Sequence, residues 1–233
     1  MNIIVTGASR GIGFDTALAL AANPEHKVLA LARNATKLEA LQQKAIEKGY
    51  ENLTYLAYDL TKPDTEQLVM QLKAMGPVSI IINNAGMLIN KPFLELTQDD
   101  WQSVFDVNVF GVVQLIQTLL PWMEGAERPH ILNISSMGGF QGSSKFPGLS
   151  AYSASKAALS NLSECLAEEL KDKGIKVNCL AIGAVQTEML EEAFPGYEAP
   201  VRSAEMASFF AYFATEGHRF YNGKVLPVAL STP

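Results

Sequence analysis

The sequence predicts one α/β domain in which a doubly wound parallel sheet of seven strands carries helices on both faces. Short runs rich in Val, Ile and Leu alternate with longer stretches of helical periodicity along all 233 residues. This alternation is typical of parallel strands that are connected by crossover helices. No linker, internal repeat or low-complexity tract divides the chain, so residues 1–233 are expected to form a single domain.

The positions of the elements follow from apolar periodicity and from glycine, proline and capping residues. Strands are expected at residues 2–5, 27–31, 53–58, 78–82, 130–134, 176–180 and 224–229. Helices are expected at residues 14–22, 35–48, 64–75, 100–123, 151–173 and 203–215. Thr97 and Asp100 have the spacing of a capping box in front of the fourth helix, and Ser203 is expected to cap the last one. Residues 188–202 contain two prolines and a glycine and are interpreted as irregular structure or a short lid.

Charge and composition argue against several classes of function. The formal net charge of −6 does not fit a general nucleic-acid binder. Residues 107–123 form the most apolar stretch, but amide side chains interrupt it, so no membrane partner is expected. The first strand begins almost at the N-terminus and leaves no room for a leader peptide, so a cytoplasmic location is expected. The three histidines are scattered without metal-ligand spacing, so no metal site is expected.

A glycine-rich turn, Thr6-Gly7-Ala8-Ser9-Arg10-Gly11-Ile12-Gly13, follows the first predicted strand. Glycines allow the backbone to turn sharply and to approach a pyrophosphate, and the following helix N-terminus supplies free amide donors. The position after an N-terminal strand therefore predicts a dinucleotide site of the Rossmann type. Its contacts are expected from Gly7, Ser9, Arg10, Gly11, Ile12 and Gly13.

The end of the second predicted strand indicates which dinucleotide binds. In many dinucleotide sites an acidic residue at this place holds the hydroxyls of the adenosine ribose. Here the strand ends at Arg33 without a carboxylate nearby, and Arg10 adds a second positive charge. Because a guanidinium attracts a 2′-phosphate, NADP(H) is favoured as the cofactor and NAD(H) is the alternative. The other interpretation is that both arginines are solvated surface residues.

A tyrosine and a lysine four residues apart, Tyr152 and Lys156, would lie on one face of the fifth predicted helix. A free tyrosine has a pKa of about 10 and is a poor acid–base catalyst at neutral pH. A nearby ammonium group favours the phenolate and lowers that pKa. The pair is therefore a candidate for proton transfer, although this spacing also occurs by chance.

Together these features resemble the short-chain dehydrogenase/reductase family over nearly the whole chain. The motifs occur in the family's order: the loop Thr6–Gly13, the pair Asp59-Leu60, the signature Asn83-Asn84-Ala85-Gly86, the helix asparagine Asn108, the serine strand Ile134-Ser135-Ser136, the pair Tyr152 and Lys156, and the segment Ile182-Gly183-Ala184-Val185-Gln186-Thr187. The resemblance implies a sheet order of 3-2-1-4-5-6-7.

The resemblance also implies catalytic roles for Asn108, Ser136, Tyr152 and Lys156. Tyr152 would be the general acid in reduction and the base in oxidation, and Lys156 would lower its pKa and bind the nicotinamide ribose. Ser136 would hydrogen-bond the substrate carbonyl, with Ser135 as its rival, and Asn108 would hold a water in a proton relay. Further cofactor contacts are implied for Asp59, Leu60, Asn84, Ala85, Gly86, Gly183, Val185 and Thr187.

The expected activity is hydride transfer between NADP(H) and a small carbonyl or secondary alcohol. The alternative from another class is a regulatory or scaffold protein that senses NADP(H) without turnover. The resemblance also implies a homodimer or homotetramer formed through the two long helices. Three departures from the family's pattern are Ile182, where a proline is usual, a segment between Ser136 and Tyr152 that is a few residues longer than usual, and the C-terminal residues 229–233, which lack the usual acidic-glycine ending.

Overall fold

A computed structural model describes residues 1–230, and the end of the atypical C-terminus, residues 231–233, lies outside the described residues. The strands are β1 (Asn2–Thr6), β2 (Lys27–Ala32), β3 (Leu53–Ala57), β4 (Ile80–Asn83), β5 (His130–Ser136), β6 (Lys176–Ile182), β7 (Val185–Gln186), β8 (Val201–Arg202) and β9 (Val225–Val228). The helices are α1 (Gly11–Ala21), α2 (Ala35–Glu47), α3 (Thr65–Met75), α4 (Gln98–Phe105), α5 (Gly111–Met123), α6 (Ser150–Glu169), α7 (Glu188–Ala193) and α8 (Ser203–Thr215).

The main sheet has seven strands in the order β3-β2-β1-β4-β5-β6-β9, and every neighbouring pair is parallel. The predicted fold class and strand order are therefore confirmed, with β9 in the place of the predicted seventh strand. Strand β9 contains Pro227 and, among residues 1–230, pairs only with β6, which fits a residue without an amide donor at a sheet edge. A separate two-stranded ribbon, β7 with β8, was not predicted.

Two apolar clusters cover the two faces of the sheet. One is formed with α1, α2 and α8, and its largest fully buried side chain is Phe210. The other is formed with α3, α5 and α6. Because all strands of the main sheet are parallel, the loops after β1, β4, β5 and β6 meet at its carboxyl edge. Most of the predicted functional residues lie in or next to these loops, whereas Arg33 and Asp59 follow β2 and β3, and Asn108 lies between α4 and α5.

The long helix predicted at residues 100–123 has a different internal structure. Thr97 and Asp100 form the predicted capping box, but a π-helical turn, Asp106–Phe110, separates α4 from α5. By length and composition alone, the run Gln98–Met123 could cross a membrane, since its most apolar 18-residue window has a mean hydropathy of 1.5. Its inner side chains Leu115 and Leu119 are instead buried in the core cluster, as in a helix that covers a sheet.

The segment predicted as irregular or a lid contains the short helix α7, and Thr187 caps it by accepting from the Leu190 amide. The predicted cap of α8 was wrong. The hydroxyl of Ser203 donates to Asp15 of α1 at 2.5 Å, and the amide of Arg202 is bound by Glu205 at 2.9 Å. The Ser203 hydroxyl therefore binds a side chain of another helix instead of capping its own helix.

Candidate active site

The glycine loop connects β1 to α1 at the carboxyl edge of the sheet. Gly7 and Gly11 have φ values of +67° and +56°, which side chains other than glycine rarely adopt. A Cβ on Gly7 would lie 2.8 Å from Ala85 Cα, and one on Gly13 would overlap the Gly7 carbonyl and the Asn84 amide. These glycines therefore allow the loop to pack directly on the loop after β4.

Asn84 and Thr6 hold the two loops together. The Thr6 hydroxyl accepts hydrogen bonds from the Asn84 and Ala85 amides at 3.1 and 3.0 Å. The Asn84 side chain in turn donates to the Thr6 carbonyl at 3.1 Å. Asn84 thus has a structural function in the loop as well as its predicted place beside the cofactor.

A cavity of about 700 Å³ opens beside these loops and extends to α6. It brings together fourteen of the residues predicted for catalysis or cofactor binding: Gly7, Ser9, Arg10, Gly11, Ile12, Arg33, Asp59, Leu60, Asn84, Ala85, Gly86, Tyr152, Lys156 and Thr187. Gly13, Asn108, Ser136, Gly183 and Val185 do not line it. Gly13 is packed behind the loop, and a Cβ on Gly183 would lie 2.8 Å from the Ala229 methyl, so both act through backbone packing.

Positive charge surrounds the end of the cavity near β2. Arg33 is exposed there, and Lys37 from the first turn of α2 joins it. Asn34 caps α2 by accepting from the Lys37 amide at 2.9 Å. Asp59 also lies here, and its pKa is lowered below the usual value, since hydrogen bonds from Thr61 and the charge of Arg33 outweigh the effect of burial. The cavity therefore offers several cations to an anionic group.

The sequence predicts that Arg10 is free to bind a 2′-phosphate, but in the structure Arg10 is not free. Its guanidinium forms two hydrogen bonds with the carboxylate of Glu192 on α7, at 2.5 and 3.1 Å. These bonds raise the pKa of Arg10 and lower that of Glu192. The ion pair joins the glycine loop to α7 across the cavity.

Tyr152 and Lys156 lie one turn apart on α6. The Lys156 Nζ atom is 6.0 Å from the centre of the Tyr152 ring and donates to the Ile134 carbonyl at 2.8 Å. The side chain of Lys156 is buried, and burial lowers the pKa of its ammonium to about 8. The lysine is therefore held in place and close to its neutral form at mildly alkaline pH.

Burial raises the pKa of Tyr152, and a hydrogen bond with Ser136 acts in the opposite direction. The phenol is thus protonated at neutral pH in this state, and a lowering of its pKa by Lys156 stays a prediction. The two candidate serines differ clearly. Ser135 is buried and borders the cavity, and its hydroxyl donates to the Lys156 carbonyl at 2.8 Å. The Ser136 hydroxyl accepts from the Gly138 amide at 3.1 Å and acts to lower the pKa of Tyr152. Because the Ser135 hydroxyl is already bound to the Lys156 carbonyl, the choice of Ser136 as the residue that contacts a substrate stays a prediction.

Asn108 lies inside the π turn between α4 and α5 and is fully buried. Its side-chain oxygen accepts from the Met87 amide at 2.8 Å, and its nitrogen donates to the Met87 carbonyl and the Ser155 hydroxyl, both at 2.9 Å. It therefore links the loop after β4 to α6 beside Lys156. The predicted water at this residue stays a prediction.

Sequence reasoning missed Lys37, Met87 and Glu192. Lys37 could have been found from Asn34, because an N-cap places the first turn of the helix at the edge of the site. Met87 and Glu192 carried no local signal. Among residues 1–230, no group of three or more His, Cys, Asp and Glu side chains is arranged to hold a metal ion.

The chain is similar to known short-chain dehydrogenases and reductases in sequence and in fold. The chain matches the short chain dehydrogenase family over residues 1–198. A 3-oxoacyl-[acyl-carrier-protein] reductase of Synechocystis is 34% identical over 189 residues, which cover 81% of this chain and 75% of that protein. A short chain dehydrogenase of Shigella flexneri complexed with NADP has 29% identity and a TM-score of 0.88, with 97% and 95% of the two chains covered. A 3-oxoacyl (acyl-carrier-protein) reductase of Agrobacterium tumefaciens with NADP bound has 27% identity and a TM-score of 0.85, with 98% and 92% covered.

Proposed function

The chain belongs to the short-chain dehydrogenase family, and from this membership we propose that it transfers a hydride between NADP(H) and a small carbonyl or secondary alcohol. The observation that supports this activity most is one cavity that contains both the glycine loop and the Tyr152–Lys156 pair. The cations Arg33 and Lys37 at its far end support NADP(H) over NAD(H), as do similar structures that contain NADP.

The residues present fit such a dinucleotide. The left-handed Gly7 and Gly11 leave space for a pyrophosphate against the N-terminus of α1, where backbone amides are free to donate. Lys156 would bind the nicotinamide ribose, and Arg33 with Lys37 would bind the 2′-phosphate. When bound, the nicotinamide supplies the hydride in reduction or accepts it in oxidation.

Proton transfer is assigned to Tyr152. In reduction its phenol donates a proton to the carbonyl oxygen as the carbonyl carbon receives the hydride, and the product is the secondary alcohol. The phenol is protonated at neutral pH and can donate this proton. Ser136 donates a hydrogen bond to the same oxygen and stabilises the charge that develops there. Lys156 stabilises the resulting phenolate, and Asn108 positions the loop and α6 around it.

The test is a turnover screen of the purified protein with NADPH and with NADH. The panel contains ketones, 3-oxoacyl thioesters, steroids and sugars. Replacement of Tyr152 by Phe is expected to lower turnover by about 10²- to 10⁴-fold, while the affinity for NADPH changes by less than about twofold. Tyr212→Phe, which removes a phenol hydroxyl from the exposed face of α8, is the matched control. Tight NADPH binding without turnover on any substrate would favour the sensing alternative, and unchanged turnover in Tyr152→Phe would refute the mechanism.

Self-association and a cytoplasmic location are part of the proposal. Trp101, Phe105 and Phe110 form a row of aromatic rings on α4 and the π turn, with centroid distances of 6.2 and 6.4 Å. Phe110 is half exposed, and apolar surface of this kind favours contact with another protein surface. A homodimer or homotetramer through these helices would cover it.

A further inference from the structure

The proposed function needs Arg10 as a free cation, but in the structure Arg10 forms an ion pair with Glu192. Both side chains line the cavity that contains Arg33 and Lys37. They also line a second, more open cavity beside it, so the pair stands in the wall between the two. The pair therefore lies within reach of a group bound among these cations.

The geometry of the pair determines what it excludes. Two nitrogens of the Arg10 guanidinium, Nη1 and Nη2, each donate to one carboxylate oxygen of Glu192. A phosphate binds a guanidinium through the same two-pronged arrangement of donors. The edge of Arg10 that Glu192 occupies therefore cannot at the same time bind a phosphate in this bidentate manner.

The other cations at this end of the cavity are not blocked in the same way. Among residues 1–230, Arg33 and Lys37 form no ion pair within 4.0 Å. The charge of Lys37 acts on Glu192 and helps to lower the pKa of that carboxyl. Glu192 thus opposes two of the three cations that a 2′-phosphate would use, and it touches Arg10 directly.

We propose that Glu192 is a specificity-determining residue that competes with the 2′-phosphate of NADP(H) for Arg10 and so limits the preference for NADP(H) over NAD(H). The inference rests on the proposed function, because it assumes that the 2′-phosphate binds beside Arg10 and Arg33. NAD(H) has no 2′-phosphate, so it binds with the ion pair intact. NADP(H) gains Arg10 only when the pair opens.

The size of the effect follows from the exposure of the pair. The side chains of Arg10 and Glu192 are 35% and 62% exposed. A pair of this exposure contributes modestly, so its removal is expected to strengthen NADPH binding by about two- to fivefold. The affinity for NADH is expected to stay within about 1.5-fold of wild type, since that cofactor does not need Arg10. Added salt should reduce the gain, because the competing contacts are ionic and partly exposed.

The experiment measures the dissociation constants of NADPH and NADH by fluorescence titration for wild type and Glu192→Gln. Glu191→Gln is the matched control. It removes the same charge from the same helix, but Glu191 accepts from the Gly196 amide and does not contact Arg10. The NADH dissociation constant divided by the NADPH dissociation constant is expected to rise only in Glu192→Gln. The same pair of measurements is made on Arg10→Met and on Arg10→Met with Glu192→Gln, where the second substitution should change the ratio much less, by its remaining effect on Lys37.

Three results would overturn the inference: an unchanged ratio in Glu192→Gln, an equal gain for NADPH and NADH, or a gain that is as large without Arg10 as with it. An equal gain would indicate general repulsion between Glu192 and the cofactor phosphates. Failure of the proposed function gives a different pattern, since wild type and Glu192→Gln would then bind NADPH no more tightly than NADH. A wild-type preference for NADPH with no response to Glu192→Gln would refute only the inference.

Discussion

A buried histidine pair at the amino edge of the sheet makes the stability of this protein sensitive to acid. His130, the first residue of β5, stacks on His218 with ring centroids 4.6 Å apart, and both are buried. The Nδ1 atom of His130 lies 3.1 Å from the Ala214 carbonyl, and its Nε2 atom lies 3.2 Å from the side-chain amide nitrogen of Asn178. Because that amide nitrogen is a donor, Nε2 accepts and Nδ1 carries the hydrogen. A second proton on Nε2 would face the Asn178 donor.

The magnitude follows from the pKa of His130. Burial, followed by the neighbouring His218, lowers it to about 3 from the ordinary value of 6.5. The unfolded chain therefore binds a proton at this histidine below pH 6.5, whereas the folded protein does not. Stability is full above about pH 7.5 and falls as the pH is lowered, down to about pH 3. Between about pH 7.5 and pH 5 the loss from His130 amounts to about 2 kcal/mol.

The assay is urea unfolding of wild type and His130→Gln at pH 7.5 and at pH 5, at one protein concentration. Glutamine can replace one hydrogen bond of the ring but does not titrate. His130→Gln is expected to be less stable at pH 7.5 and to lose about 2 kcal/mol less than wild type on acidification. Phe213→Leu is the control for packing, because this ring lies beside His130 at 6.1 Å and carries no titratable group. The reasoning would be refuted if His130→Gln kept the whole pH dependence of wild type.

Four further predictions concern the site and the assembly. Lys156 loses its proton at about pH 8, so the affinity for NADPH should fall between about pH 7 and about pH 9.5. Lys156→Met should abolish this pH dependence, and parallel curves of affinity against pH for both proteins would contradict the prediction. A methyl group added by Gly13→Ala overlaps the packed loop, so urea unfolding should show a loss of about 1–3 kcal/mol, and an unchanged midpoint would show that α1 can shift. Arg33→Asp should lower the ratio of NADPH affinity to NADH affinity by about tenfold or more, which titration with both cofactors measures. The same ratio in Arg33→Asp and in wild type would count against the cofactor assignment. Light scattering should show a dimer or tetramer for wild type and a smaller species for Phe110→Glu, whereas a wild-type monomer at micromolar concentration would exclude the assembly.

Most of the fold was predictable because its signals are local. Strands such as β4 are continuous apolar runs, and α2 and α3 show their periodicity and their caps within one or two turns. The strand order, implied by the family resemblance, is also confirmed. The ribbon of β7 and β8 escaped because each strand has only two residues, which is too short for any periodicity. The π turn around Asn108 escaped because it is a single turn of five residues inside a stretch that is otherwise helical.

The sequence by itself determined the components of the site and their position at the carboxyl edge of the sheet. The glycine loop, Tyr152 and Lys156 are recognisable from their spacing, and parallel strands bring the loops that follow them to one edge. The tertiary structure decided what each polar group contacts. Arg10 is paired with Glu192, which lies 182 residues away, and the Ser135 hydroxyl donates to the Lys156 carbonyl on α6. Periodicity and motif spacing depend on a few neighbouring residues, whereas an ion pair or a buried hydrogen bond depends on how distant segments pack.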